Sequence, residues 1–188
     1  MTVKIRSRED LIAYLAEGHR VNYLFFWGHT KPGDGSIDKS CLSQWYEAGF
    51  EIDGIYYPTA EHFMMAEKAR LFGDNEILEQ ILISRHPREA KQLGRAVKNY
   101  DEQHWHEHRF DIVTRGNIAK FTQNAELKAY LLNTGNRVLV EASPRDRIWG
   151  IGMGKSNPDA GNPVKWRGLN LLGFTLMEAR YGIFFPLP

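Results

Sequence analysis

The stretch YYPTAEHFMMAEKARLF, from Tyr56 to Phe72, constrains the fold more than any other part of the chain. Thr59 is placed to cap a helix by accepting an early backbone N–H, and Glu61 in the first turn complements the positive end of the helix dipole. On a helical wheel Glu61, Met65, Lys68 and Phe72 share one face, while Ala60, Phe63, Met64, Ala66, Ala69 and Leu71 spread apolar groups over most of the remainder. A helix so nearly apolar all round must be buried on several sides, and its charged groups then need partners or a cavity to face. Glu61 and Lys68 are therefore the first functional candidates. Seven residues of helix separate them by a rise of roughly 10.5 Å, so they flank a ligand rather than pair with each other. The plain alternative is a Glu61 that only supports the helix N-terminus and a Lys68 that reaches solvent.

Such a helix needs neighbours, and the flanking sequence supplies them. Ser7 and Asp10 resemble a capping box ahead of Leu11, Ile12 and Leu15, with Gly18 as the stop, which predicts a helical N-terminal extension over 1–20. Residues 21–27 read as a buried strand, and 28–40, rich in Gly and Pro, as a mobile loop able to act as a lid. Phe50–Ile52 and Ile55–Tyr57, joined by Asp53-Gly54, carry the strongest short hairpin signal in the chain. Asp74 caps a further helix bearing Ile77, Leu78, Ile81 and Leu82, and Pro87 fits the first turn of one running through Gln92. A long helix follows from Asp101 to about Phe121, then a short one over 125–132 and a strand over 137–141. After a turn-rich loop from Ser143 to Gly168, a last helix spans 169–180 and a fraying tail 183–188. The pattern predicts a mainly α, single compact domain over 21–182 with a few short strands.

The 188 residues, 43% of them hydrophobic and 25% charged, suffice for a sizeable core. Lys and Arg number 24 against 23 Asp and Glu, so no overall charge bias favours nucleic acid or an anionic membrane. Cys41 is the lone cysteine, which excludes an internal disulfide and points to a reducing compartment. With no apolar run long enough to span a bilayer and no signal-peptide pattern, a cytoplasmic protein without membrane partners is expected.

Two other motifs invite chemistry. His104 and His108 share a helical face, but spacing supplies no third ligand and the order is not H-E-x-x-H, so no metal is expected. Trp105, between them, either stacks on a planar ligand or packs in the core. The run from Gly150 to Ser156 lacks both common nucleotide-binding fingerprints. Its Gly150 and Gly152 follow Asp146 and Trp149 and can bring backbone donors to a sugar or phosphate; a surface turn is the competing reading.

Taken together, YYPTAEHFMMAEKA, then WGIG, then NLLGFTLMEAR, in that order and spacing, resemble the YbiA-like or NADAR family, and Leu42–Tyr46 (LSQWY) adds to the likeness. Bacterial members often carry a Ser-Asn-Phe element near the start, where this chain has Phe25-Phe26-Trp27-Gly28-His29 and a long loop. The resemblance implies a YbiA-like helical fold and hydrolysis of N-glycosidic bonds to ribose, in phosphorylated ribosylamino-pyrimidine intermediates of riboflavin synthesis or in ADP-ribose attached to guanine, free or in nucleic acid. It ties activity to Glu61, Lys68, Trp105, Asp146 and Trp149.

Breaking a C1′–N bond leaves positive charge on the ribose and negative charge on the departing base, which calls for an anionic stabiliser and a donor to the base. Glu61 suits proton transfer. Lys68, if desolvated, can attack C1′ and form a Schiff base; a nearby carboxylate would instead keep it charged. Asp146 suits the ribose hydroxyls or shared acid–base work, and Trp105 or Trp149 a stacked base. Neither metal nor cofactor is required. The alternative is a non-catalytic module that binds ADP-ribose or a related nucleotide.

Overall fold

The computed structural model describes residues 4–185, so Pro186 and Pro188 of the expected tail lie outside the described residues. Among the described residues are seven α-helices and four short strands: α1 (Arg8–Ala16), β1 (Tyr23–Phe26), β2 (Phe50–Ile52), β3 (Ile55–Tyr57), α2 (Ala60–Leu71), α3 (Asn75–Ile83), α4 (Pro87–Arg95), α5 (Glu102–Gln123), α6 (Ala125–Asn133), β4 (Val138–Glu141) and α7 (Leu171–Phe184).

Helix α2 is the centre of this mainly helical domain. Thr59 Oγ1 accepts the His62 N–H, and α3, α4 and α5 pack around the helix. Ala60 through Ala66 and Ala69 are buried as a result. The hairpin β2–β3 pairs Phe50 with Tyr57 and delivers the chain directly into α2. Its turn needs left-handed backbone at both central residues, and Asp53 (φ 53°) with Gly54 (φ 76°) provides it.

Two features were not readable from periodicity. Strand β1 pairs with β4 in parallel, Tyr23 opposite Val138 through Phe26 opposite Glu141. The far side of β4 is closed by the Ile151 N–H, which donates to the Glu141 carbonyl at 2.9 Å, and by one side chain. Asn170 is fully buried and left-handed (φ 56°); its Oδ1 accepts the Glu141 N–H at 2.9 Å and its Nδ2 donates to the Leu139 carbonyl at 2.9 Å.

Several element bounds differ from expectation. Helix α4 continues past Gln92 to Arg95, and Gly94 in its last turn leaves the room in which the Met65 side chain packs. Helix α7 starts at Leu171 and runs on to Phe184, into what was expected to be tail. Helix α1 packs onto the body of the domain: Leu11 is fully buried in a cluster with Val138, Val140 and Phe174, and Arg8 donates to the Trp166 carbonyl at 3.1 Å. No described helix is long and apolar enough to cross a membrane.

Candidate active site

A cavity of about 660 Å³ opens where α2, α4, the start of α5 and the end of β4 meet. Helix α2 contributes Glu61, Met64, Met65 and Lys68 to it, and α4 contributes Lys91, Gly94 and Arg95. From α5 come Trp105 and Arg109; Glu141 enters from β4, and Asp146 and Trp149 from the loop behind it. Of the predicted residues, Glu61, Lys68, Trp105, Asp146 and Trp149 are thus brought together.

Glu61 is 3% exposed, and its Oε1 is buried without a hydrogen-bond partner. Its backbone N–H donates to the Gln44 carbonyl at 3.0 Å, which ties the first turn of α2 to the segment carrying Trp45. Burial pushes the Glu61 carboxyl up to about 7; Lys91, the Trp45 side chain and Arg95 oppose the rise, and Asp146 adds to it. Glu141 Oε2 is also buried and unpartnered. Burial, then the neighbouring Asp146, pushes that carboxyl up to about 8, with Lys91 opposing and Glu61 reinforcing.

Lys68 is half-buried. Its Nζ donates to the Gly94 carbonyl at 2.8 Å and lies 4.3 Å from the Tyr100 ring centroid and 5.8 Å from that of Trp105. Burial and then Arg95 lower its pKa, while the carbonyl and both ring faces favour the ammonium. Its task toward a substrate is therefore set by two opposed influences within one wall.

Asp146 shapes the loop as well as facing the cavity. Its Oδ1 accepts the N–H groups of Ile148 (2.9 Å) and Trp149 (2.7 Å). The carbonyls of Ile148 and Trp149 in turn accept the N–H groups of Leu171 (3.2 Å) and Leu172 (3.1 Å), so the loop satisfies donors that the start of α7 would otherwise leave free. Gly150 and Gly152 do not line the cavity. A Cβ on Gly150 would lie 2.9 Å from the Glu141 carbonyl and 3.0 Å from Ser143 Cβ. Gly152 has φ +67° and gives its N–H to the Asp146 carbonyl at 2.9 Å. Both glycines permit the close crossing that holds Asp146 and Trp149 in place; the Gly152 N–H is not free for a ligand.

Behind the cavity, Lys120 of α5 is fully buried and donates to the carbonyls of Cys41 (2.7 Å) and Ser43 (2.8 Å), anchoring the segment that ends in Trp45. No described residue of 28–40 lines the cavity, although the His29 ring lies 5.5 Å from that of Trp45. His104, Glu107 and His108 meet on the exposed face of α5 with their ligand-type atoms within 4.8 Å, Glu107 being the group that the His spacing alone did not supply. None of the three faces the cavity. A second cavity of about 710 Å³ lies beside α7, and the one carboxylate among its described lining residues, Glu178, is tied to Lys4 at 2.6 Å.

Periodicity did not single out Glu141, Lys91, Arg95 or Arg109, and Trp45 stood out only as part of a family-like motif. With them the site holds two shielded carboxylates, a row of cations and three indoles, the equipment of an acid–base enzyme. The chain belongs to the NADAR family: the family model, described as NADAR domain, matches residues 25–183. It is 43% identical over 163 residues to N-glycosidase R617 of Acanthamoeba polyphaga mimivirus, covering 84% of this chain and 94% of that protein. To Protein irg-1 of Caenorhabditis elegans it is 35% identical over 160 residues, covering 76% of each. The NMR structure of Escherichia coli YbiA superimposes with a TM-score of 0.67 at 28% identity, over 88% of this chain and 87% of that one.

Proposed function

We propose that this glycosyl hydrolase cleaves the C1′–N bond between a phosphorylated ribosyl group and a planar base or amine, either ADP-ribosyl-guanine or a ribosylamino-pyrimidine phosphate. The N-glycosidase names of R617 and of Escherichia coli YbiA support the reaction class. The observation that carries the reading is Glu61 Oε1, buried and without a partner in a cavity whose other walls bear cations and indoles. A carboxylate held in that state is ready to take a proton from an attacking water or to stabilise positive charge on the ribose. Lys91, Arg95, Arg109 and Lys68 suit a phosphate or diphosphate. Trp105, Trp149 and Trp45 offer faces for the base, and Asp146 an acceptor for ribose hydroxyls.

Incubation of the purified protein with ADP-ribosylated guanosine and, separately, with ribosylamino-pyrimidine phosphates, with products resolved by chromatography, tests this. Release of guanine or of the free pyrimidine amine is expected for one of them, and a Glu61→Gln variant should lose that turnover by at least about a hundredfold. Tight binding of ADP-ribose with no turnover of any of these compounds would instead identify a non-catalytic module. ADP-ribosylated oligonucleotides extend the same assay to nucleic acid.

A further inference from the structure

Cleaving a glycosidic bond to nitrogen needs a proton for the leaving group as well as a base for the water. Asp146 is poorly suited to deliver that proton, because its Oδ1 already accepts two backbone N–H groups that fold the loop. Glu141 is in the opposite position. Its Oε2 is shielded from solvent and unpartnered, as is Glu61 Oε1, and both residues line one cavity. Its backbone is fixed on two sides, by pairing of β4 with β1 and by the Asn170 side chain, so its direction into the cavity is built into the fold. The other charged or titratable groups that line the cavity are Glu61 and Lys68 on α2, Lys91 and Arg95 on α4, Glu102, His106 and Arg109 on α5, and Arg145, Asp146 and Arg147 on the loop, with Tyr100 ahead of α5.

Resting on the reading that the chain cleaves a C1′–N bond, we propose that Glu141 is a second catalytic residue, the general acid that protonates the departing nitrogen while Glu61 acts as the base. In this step the C1′–N bond breaks and its electron pair passes to nitrogen, which takes the proton of the Glu141 carboxyl. A water oxygen bonds to C1′ and gives a proton to the Glu61 carboxylate. The sum is ribosyl–N plus water to ribosyl–OH plus H–N, and return of one proton from Glu61 to Glu141 through water resets the pair. Burial raises both carboxyls, and Asp146 raises each further, so one of the pair can hold a proton near neutral pH while the other is ionised.

The test is Glu141→Gln and Glu141→Asp alongside the wild type, with ADP-ribosylated guanosine and a ribosylamino-pyrimidine phosphate as probes and kcat, KM, thermal midpoint and the pH dependence of kcat/KM as readouts. Glu141→Gln should lower kcat about 10²–10⁴-fold with KM changed only a few-fold, lose the alkaline limb from its residual activity, and unfold no earlier than the wild type. Glu141→Asp, which keeps a carboxyl, should recover part of the loss. A Gln variant with kcat within about threefold of the wild type, or one that loses kcat yet keeps the alkaline limb, would overturn the assignment while leaving the function intact. So would a wild-type profile with no alkaline limb, a measurement that requires no variant to fold. A wild type that turns over neither probe overturns both the function and the role of Glu141.

Discussion

Asn170 and Glu141 are joined through the backbone: the Asn170 side-chain carbonyl accepts the Glu141 N–H at 2.9 Å, two residues from where its amide donates to the Leu139 carbonyl. With the Ile151 N–H on the Glu141 carbonyl, this side chain completes the open edge of β4 and helps to set the residue that enters the cavity. Asn170→Ala leaves both backbone groups unpartnered in the interior and puts a less tolerant residue at φ 56°. A loss of about 2–4 kcal/mol is expected from denaturant titration. Activity should fall further than the folded fraction explains, because Glu141 loses its support. A variant as stable as the wild type would show that the clamp carries little.

The raised carboxyls make a prediction about stability as well as rate. Between the ordinary carboxylate range and pH 7–8, the native state holds protons on Glu61 and Glu141 that the unfolded chain has already released. Stability must therefore fall as pH rises through that window, and be free of this cost below it. Glu61→Gln and Glu141→Gln remove a buried charge while keeping shape. Each is expected to raise stability at pH 8 by about 1–3 kcal/mol, roughly 2–4 °C in thermal midpoint per kcal/mol, and to have a much smaller effect at pH 5, where the unfolded carboxyl has only begun to release its proton. Thermal scans at the two pH values check it; equal effects at both would remove the ionisation argument.

How much of this was legible in the chain depends on the range of the forces involved. The nearly all-round apolar character of α2, the Asp53-Gly54 turn and the capping residues Ser7, Thr59 and Asp74 are local signals, and each led to its element. Pairing of β1 with β4 depends on tertiary packing, for which neither segment carries a local mark. Glu141 was hidden for a related reason. In Val138-Leu139-Val140-Glu141 only the continuous apolar run hints that both strand faces are covered, and hence that the next residue enters the interior. At Gly150 and Gly152 composition alone does not separate a close backbone crossing from a ligand contact, because glycine serves either. Lys91 and Arg95 carry no local mark of a site; they join it because α4 packs against α2.

Lys68 separates two mechanisms. Hydrogen bonding to the Gly94 carbonyl and the Tyr100 ring 4.3 Å away favour the ammonium, whereas burial and Arg95 favour loss of the proton. The expected outcome is that Lys68 works as a cation. Borohydride added during turnover should then trap no adduct, and Lys68→Arg should keep more activity than Lys68→Ala. A trapped adduct that mass spectrometry places on Lys68 would make it the nucleophile.

The cations of α4 lead to a prediction that separates binding from chemistry. Lys91 and Arg95 lie one helical turn apart and both line the cavity, so a phosphorylated ligand can meet them together. Lys91→Ala and Arg95→Ala should each raise KM about tenfold, the equivalent of one charge-assisted hydrogen bond. They should also weaken the salt dependence of kcat/KM, because part of the attraction that added salt screens is gone. The Lys91 variant should differ from the Arg95 variant in one respect. Lys91 is the strongest influence opposing the rise in the Glu61 carboxyl, so its loss lifts that pKa further. The acid limb of the kcat/KM profile should then move to higher pH in Lys91→Ala by more than in Arg95→Ala, whose side chain is the weakest of the named influences on Glu61. No shift in Lys91→Ala would mean that Lys91 acts on the substrate alone and leaves the catalytic carboxylate untouched.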